Sequence, residues 1–168
     1  MVEDRKPVRF YELLTSLVEG NVAFIVVGGV AAVLDGAPVS TFDLDVVYSL
    51  DEANIDRLAG VLEELSAVYI DPGGRTIRPT VERLRGGGHH LLRTRHGRLD
   101  VMGSVGNALA YPDLLSRSRT HTVRGVEIMV LDLEALIATK EAADRPKDRA
   151  VLDLLRETLA ERKRDNGD

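Results

Sequence analysis

Two aspartates, Asp43 and Asp45, stand two residues apart in the apolar run FDLDVVY, residues 42–48. On a strand, positions i and i+2 face the same way, roughly 7 Å apart at about 3.3 Å per residue. Leu44 between them faces the other way, into the core. Asp is depleted in strands, and two like charges this close repel unless a cation or a donor sits between them. Phe42, Leu44, Val46 and Val47 read as core, so a solvated strand face is a poor description of the pair. Magnesium takes oxygen ligands and accepts one or two carboxylates beside phosphate oxygens and waters. Asp100 is a lone acid in a second apolar run, RLDVM, residues 98–102. It is either a partner for Arg98 or Arg95, or a third carboxylate completing a two-metal site. In that site one ion activates an attacking hydroxyl and the other orients a triphosphate, with Asp100 free to act as general base.

Other positions carry chemistry of a complementary kind. Gly28-Gly29 follows an apolar run and precedes a short helical stretch. Without Cβ atoms such a turn lets the backbone approach a phosphate, although a tight turn with no ligand has the same composition. Lys140 lies on the apolar face of its helix, reaching either a β- or γ-phosphate as a point charge or covering the core with its stem. Lys147 and Asp148 read as first-turn charges of the last helix. His89, His90 and His96 lack zinc-motif spacing, and Gly86-Gly87-Gly88 before them suggests a mobile, solvated loop.

These residues need elements to hold them. Residues 8–19 space Phe10, Leu13, Leu14, Leu17 and Val18 as an amphipathic helix, ended by Gly20 in the usual place past a C-terminus. Val22–Val27 reads as a buried strand, Val30–Asp35 as a short helix, Gly36–Ser40 as a loop and Phe42–Tyr48 as the carboxylate strand. Ser49 to Glu52 matches a capping box before a helix with Ile55, Leu58, Val61, Leu62 and Leu65 on one face. Ala67–Ile70 is a short strand, and residues 75–102 are expected to be β-structure. Within them His89–Thr94 and Arg98–Met102 form a hairpin around Arg95-His96-Gly97. Tyr111–Ser118 is a short helix, and Thr120–Val123 and Val126–Leu131 flank an Arg124-Gly125 hairpin turn. Helical periodicity then runs from Asp132 to about Ala143. Pro146 breaks it and suits a first turn, and Arg149–Arg162 is the last helix. The expected fold is α/β or α+β, a mixed sheet with flanking helices and a C-terminal helical pair. Residues 1–131 form the core domain and 132–168 a helical segment packed on it.

Composition narrows the function. There is no Cys, so disulfides, thiol catalysis and Cys-based zinc sites are excluded and a cytoplasmic setting is favoured. Trp is absent and aromatics make up only 4%, which disfavours base stacking on an aromatic platform. MVEDRKPVRF has no apolar leader core, and no run approaches ~18 apolar residues, so neither signal peptide nor membrane span is expected. The net charge is −5, but residues 75–98 hold seven arginines and one acid, Glu82, giving +6 there and −11 elsewhere. A local basic stripe on an acidic chain suggests a positioned anionic partner.

Gly28-Gly29, thirteen residues, then Asp43-Leu44-Asp45-Val46 resembles the signature of the polymerase-β-like nucleotidyltransferase superfamily, a Gly-Gly or Gly-Ser turn followed by D-x-D. Lys140 to Leu154, KEAADRPKDRAVLDL, is similar to the C-terminal lysine and K-D-x-x-D-L elements of AbiEii-type nucleotidyltransferases, often toxins of toxin–antitoxin pairs. The resemblance implies an α/β sheet core, magnesium, and nucleotidyl transfer from an NTP to an acceptor. In the toxin branch the acceptor is often tRNA and a cognate antitoxin is a partner. It assigns Asp43, Asp45 and Asp100 to the metals, Gly28, Gly29 and Thr41 to the nucleotide, and Lys140 to the triphosphate or acceptor. The basic stripe favours RNA over a cationic small-molecule acceptor such as an aminoglycoside. A non-catalytic nucleotide- or RNA-binding module is the alternative of a different class. Relatives often carry Arg where this chain has Val39, so a clamping arginine is expected from the 75–98 stripe.

Overall fold

A computed structural model describes residues 7–167; Met1–Lys6, on which part of the leader reading rests, lie outside them. In chain order the elements are α1 (Phe10–Glu19), β1 (Phe24–Val27), α2 (Gly28–Leu34), β2 (Asp43–Tyr48), α3 (Glu52–Glu64), β3 (Val68–Tyr69), α4 (Val81–Arg85), β4 (His89–Thr94) and β5 (Gly97–Met102). They continue with β6 (Ser104–Val105), β7 (Leu109–Ala110), α5 (Tyr111–Leu115), β8 (Ser118–Val123), β9 (Val126–Leu131), α6 (Leu133–Ala143) and α7 (Pro146–Asp165). Seven strands form one mixed sheet in the order β3-β4-β5-β2-β1-β9-β8, and β6 and β7 pair separately. No helix among the described residues is long and apolar enough to cross a membrane.

Strand register decides which side chains share a face. β1 runs antiparallel to β2, with Val27 opposite Asp45, and β2 runs parallel to β5, with Asp43 opposite Arg98 and Asp45 opposite Asp100. β4 pairs antiparallel with β5, setting Leu91 opposite Asp100 and Arg93 opposite Arg98. One face therefore carries the three acids. The other carries Leu44, Val46, Tyr48, Leu92, Leu99 and Val101, all fully buried. α4 lies on that second face, where the Tyr48 hydroxyl donates to the Leu84 carbonyl at 2.7 Å. Leu13, Leu14 and Leu17 of α1 and Ile55, Leu58 and Leu62 of α3 are buried too, each contributing about 2 kcal/mol of apolar transfer.

Several elements differ from the sequence-based expectation. Gly20 has an ordinary φ of −77°, and Asn21 takes the left-handed position at φ 54°. Glycine is needed at 20 because a Cβ there would overlap Val61 of α3. Ser49 caps nothing: Asp51 is the N-cap of α3, and Ser49 Oγ only accepts from the Asp51 amide at 3.3 Å. Glu52 instead pairs with Arg85 at 2.8 Å. Residues 75–102 are not all β-structure, because Thr80 accepts from the Arg83 amide and starts α4. Phe42 is 62% exposed and is not core. His90 is buried in β4, against the solvated-loop reading. Its Nε2 bonds to the Gly87 carbonyl and its Nδ1 to the Tyr69 hydroxyl, both at 2.7 Å. The carbonyl can only accept, so Nε2 carries the proton. Burial holds this imidazole below its usual pKa.

Candidate active site

Hydrophobic burial builds the site. Leu44 and Val46 anchor β2 from one face, which forces Asp43 and Asp45 onto the other, and Leu99 and Val101 do the same for Asp100. The in-register pairing of β2 with β5 then closes the gap between sequence-distant acids. Asp43, Asp45 and Asp100 each offer a carboxylate oxygen within 4.8 Å of the others. Asp100 is buried, pairs with neither Arg98 nor Arg95, and its Oδ1 has no hydrogen-bond partner. Burial, reinforced by the neighbouring Asp45 and Asp43 charges, pushes the Asp100 carboxyl up to about 8. Burial and Asp43 push Asp45 up to about 6, while Lys140 and Lys147 lie close enough to oppose the rise. An orphaned buried oxygen amid three converging hard donors fits a divalent cation of the magnesium kind.

Gly28 and Gly29 form the opposite wall. Gly28 has φ +66°, a conformation that costs a residue bearing Cβ, and a Cβ there would overlap the Asp45 carboxylate. A Cβ on Gly29 would sit 2.6 Å from Thr41 Oγ1. The glycines thus admit the acid strand against the turn, and the first turn of α2 begins directly at Gly28. The Thr41 hydroxyl donates to the Asp43 carbonyl at 3.0 Å, fixing the chain as it enters β2. Val39 is half-buried against the core, and this position supplies no guanidinium to the site.

Lys140 stands at the C-terminal end of α6 on the same side of the site. Its Nζ donates to Asp148 Oδ1 at 3.1 Å, and Arg145 Nε donates to Asp148 Oδ2 at 2.7 Å. Burial pushes the Asp148 carboxyl up, but the hydrogen bonds from Arg145 and Lys140 outweigh it and leave it below the usual range. Asp148 is, as expected, a first-turn charge of α7, and it is a buried anchor there. Asp153, the later acid of the C-terminal motif, is exposed and bonds Arg156. Sequence reading singled out Lys147 and Asp148 in the C-terminal motif but gave neither them nor Arg145 a role at the site. Their signal was the Pro146 break, since α7 folds back on α6 through Asp144 in the left-handed conformation (φ 44°). The basic stripe is not continuous. Arg75 is held by Asp71, Arg85 by Glu52, and Arg83 lies over the Tyr69 ring, 5.5 Å from its centre.

Residues 94–165 match the profile of a family described as a nucleotidyl transferase of unknown function, DUF2204. The matched segment contains Asp100, Lys140 and Asp148 and begins after Asp43 and Asp45. No curated protein matches the chain. Among solved structures, the chain is similar to TM1012 of Thermotoga maritima, a candidate nucleotidyltransferase. The TM-score is 0.53 at 18% identity, over 95% of this chain and 99% of that one. The lincosamide antibiotic adenylyltransferase LnuA, bound to lincomycin, aligns with TM-score 0.60 at 15% identity over 91% and 99%. ANT(2″)-Ia, in complex with adenylyl-2″-tobramycin, aligns with TM-score 0.55 at 17% identity over 91% and 89%. The fold is nucleotidyltransferase-like. That settles the α/β expectation: a central mixed sheet with flanking helices and a C-terminal helical pair.

Proposed function

We propose that this chain transfers a nucleotidyl group from an NTP to a hydroxyl on an acceptor. The observation that carries the proposal is the convergence of Asp43, Asp45 and Asp100 on one sheet face against the Gly28-Gly29 turn. Asp43, Asp45 and Asp100 would hold magnesium, one or two ions, whose chemistry when bound is to neutralise triphosphate charge and raise the reactivity of the attacking oxygen. The residues do the rest. Gly28 and Gly29 let Asp45 and Thr41 close against the start of α2, where backbone N–H groups would receive a phosphate, and Thr41 fixes the strand that bears Asp43. Lys140 and Lys147 offer positive charge on the Asp45 side, where pyrophosphate departs. The acceptor oxygen bonds to the α-phosphorus, and the bond from that phosphorus to the bridging oxygen breaks, leaving its electron pair on pyrophosphate. The acceptor proton passes to Asp100, the carboxylate opposite Asp45 on the neighbouring strand, which the bound cation would keep ionised.

The acceptor in this reading is RNA, and tRNA in a toxin role would bring a cognate antitoxin and a cytoplasmic setting. A second reading has a specific support: LnuA and ANT(2″)-Ia share the fold and are named or crystallised with antibiotics. It makes the acceptor a small molecule of lincosamide or aminoglycoside type. The test is incubation with each labelled NTP, magnesium, and either total RNA or a panel of such antibiotics. Asp43→Ala and Asp45→Ala are expected to abolish transfer while the circular dichroism spectrum stays native. Undiminished transfer by both variants overturns the proposal, and NTP binding without transfer to any acceptor moves the chain to a binding role.

A further inference from the structure

The sheet divides the seven arginines of residues 75–98. Arg83 and Arg85 belong to α4, across the sheet from the acids. Arg78 and Arg95 border grooves beside α3, with Asp56 and Glu63 near one and Glu64 near the other. Arg75 is tied to Asp71. Arg98 and Arg93 alone share the acids' face by register, in the row Asp43–Arg98–Arg93 across β2, β5 and β4. Both are exposed, and neither makes a side-chain hydrogen bond or ion pair among the described residues. The adjacent row is Asp45–Asp100–Leu91, and Leu91 is 46% exposed.

The two flanks of the acid cluster are chemically alike and topologically opposite. On the β1 side stand the Gly28 turn and the cations Lys140 and Lys147. On the β4 side stand Arg98 and Arg93. Attacking and leaving oxygens lie roughly in line at phosphorus, so an acceptor enters from the flank that the pyrophosphate does not occupy. Two unpaired guanidiniums one strand apart, about 4.8 Å, match the oxygens of one phosphate or of consecutive phosphodiesters and repel a cationic acceptor. Leu91 beside them gives a base or ribose an apolar rest.

We infer that the exposed face of β4 and β5 seats the 3′-terminal nucleotides of a single-stranded polynucleotide, with Arg98 and Arg93 on its backbone phosphates and Leu91 under the sugar or base. This rests on the nucleotidyl-transfer reading and names its acceptor subsite. The probe is a 5′-labelled twelve-nucleotide RNA, used for anisotropy and as acceptor, with NTP affinity measured separately by calorimetry. The Arg93→Glu/Arg98→Glu double variant is expected to raise KM for the RNA at least tenfold with a smaller change in kcat. It should also flatten the salt dependence of RNA binding and keep the NTP affinity of the wild type. Arg93→Gln/Arg98→Gln should fall between, and Arg78→Glu, across the sheet, should match the wild type. Wild-type RNA binding and KM in the double variant overturn the inference. So does a loss of NTP affinity equal to the loss of RNA affinity, which moves the arginines to the triphosphate. So does transfer to lincomycin or tobramycin by the wild type with none to RNA. Failure of the wild type to bind NTP is a separate result that overturns the reading beneath; anisotropy of the RNA alone still decides the seat.

Discussion

Asp45 and Asp100 face each other across neighbouring strands, and without a cation their ionisation works against the fold. Both carboxyls are raised, so the folded protein holds protons that the unfolded chain has released. Stability of the metal-free protein is therefore full below the unfolded carboxyl range near pH 3.8 and is lost as pH rises through about 6 and then 8. Asp100→Asn removes one buried charge and should stabilise the metal-free protein at pH 8 by ~1 kcal/mol, with almost no effect at pH 4. Thermal melts at the two pH values check this; a wild type at least as stable as the variant at pH 8 contradicts it. Magnesium should raise the wild-type Tm at pH 8 and leave the variant nearly unmoved. Gly28 is constrained twice, by its positive φ and by the Asp45 carboxylate. Gly28→Ala should cost ~2 kcal/mol and displace Asp45, lowering transfer far more than the stability loss alone explains, as urea unfolding alongside the transfer assay would register.

At the scale of elements, the joint between α6 and α7 sets where the cations stand. Asp148 receives Lys140 and Arg145 together, and removing it leaves two cations competing for solvent at a partly buried corner. Asp148→Ala should destabilise by ~2 kcal/mol, less than a fully buried pair would because Arg145 is half exposed. The triphosphate affinity should fall with it, and an Asp148→Glu variant should recover part of both in calorimetry and melts. An unchanged nucleotide affinity in Asp148→Ala separates the joint from the site. The break between the two helices was legible at Pro146, but the ion pairs across it were not, because they depend on one left-handed residue, Asp144, and on a chain reversal that periodicity does not encode. The strands were legible because alternation and β-branched runs report a half-buried sheet directly: β2, β5, and the β4–β5 and β8–β9 hairpins lie within a residue or two of their expected bounds. Short pieces were not. α4 is five residues whose helicity comes from a Thr80 cap and from Leu84 in the core, and His90 changes from loop residue to buried hydrogen-bond hub only once β4 is seated over Tyr48 and Tyr69.

Across the whole molecule, the acids sit at the centre of the sheet and their two cationic flanks come from different stretches of chain. β4 and β5 supply one, and α6 and α7 the other. The D-x-D pair was visible as a spacing; its partner Asp100 became part of a cluster only through parallel pairing of strands some fifty residues apart. The C-terminal helices also carry packing. Leu133, Leu136 and Ile137 of α6 and Leu152 and Leu155 of α7 are all buried in the same core as β1 and β2. Each is worth ~1.5–3 kcal/mol of apolar burial, against a total stability of about 5–15 kcal/mol for a domain this size. A chain ending at Leu131 would uncover α2 and the sheet beneath it and lose more burial energy than the fold holds in reserve. The 1–131 fragment is therefore expected to lack a cooperative urea transition and to bind no nucleotide, although it keeps Asp43, Asp45, Asp100 and the Gly28-Gly29 turn. Adding a peptide of residues 132–167 in excess should restore helical circular dichroism and cooperativity together. A sharp, two-state transition in the fragment alone would show that the sheet core stands without its C-terminal helices and that α6 and α7 serve the site only.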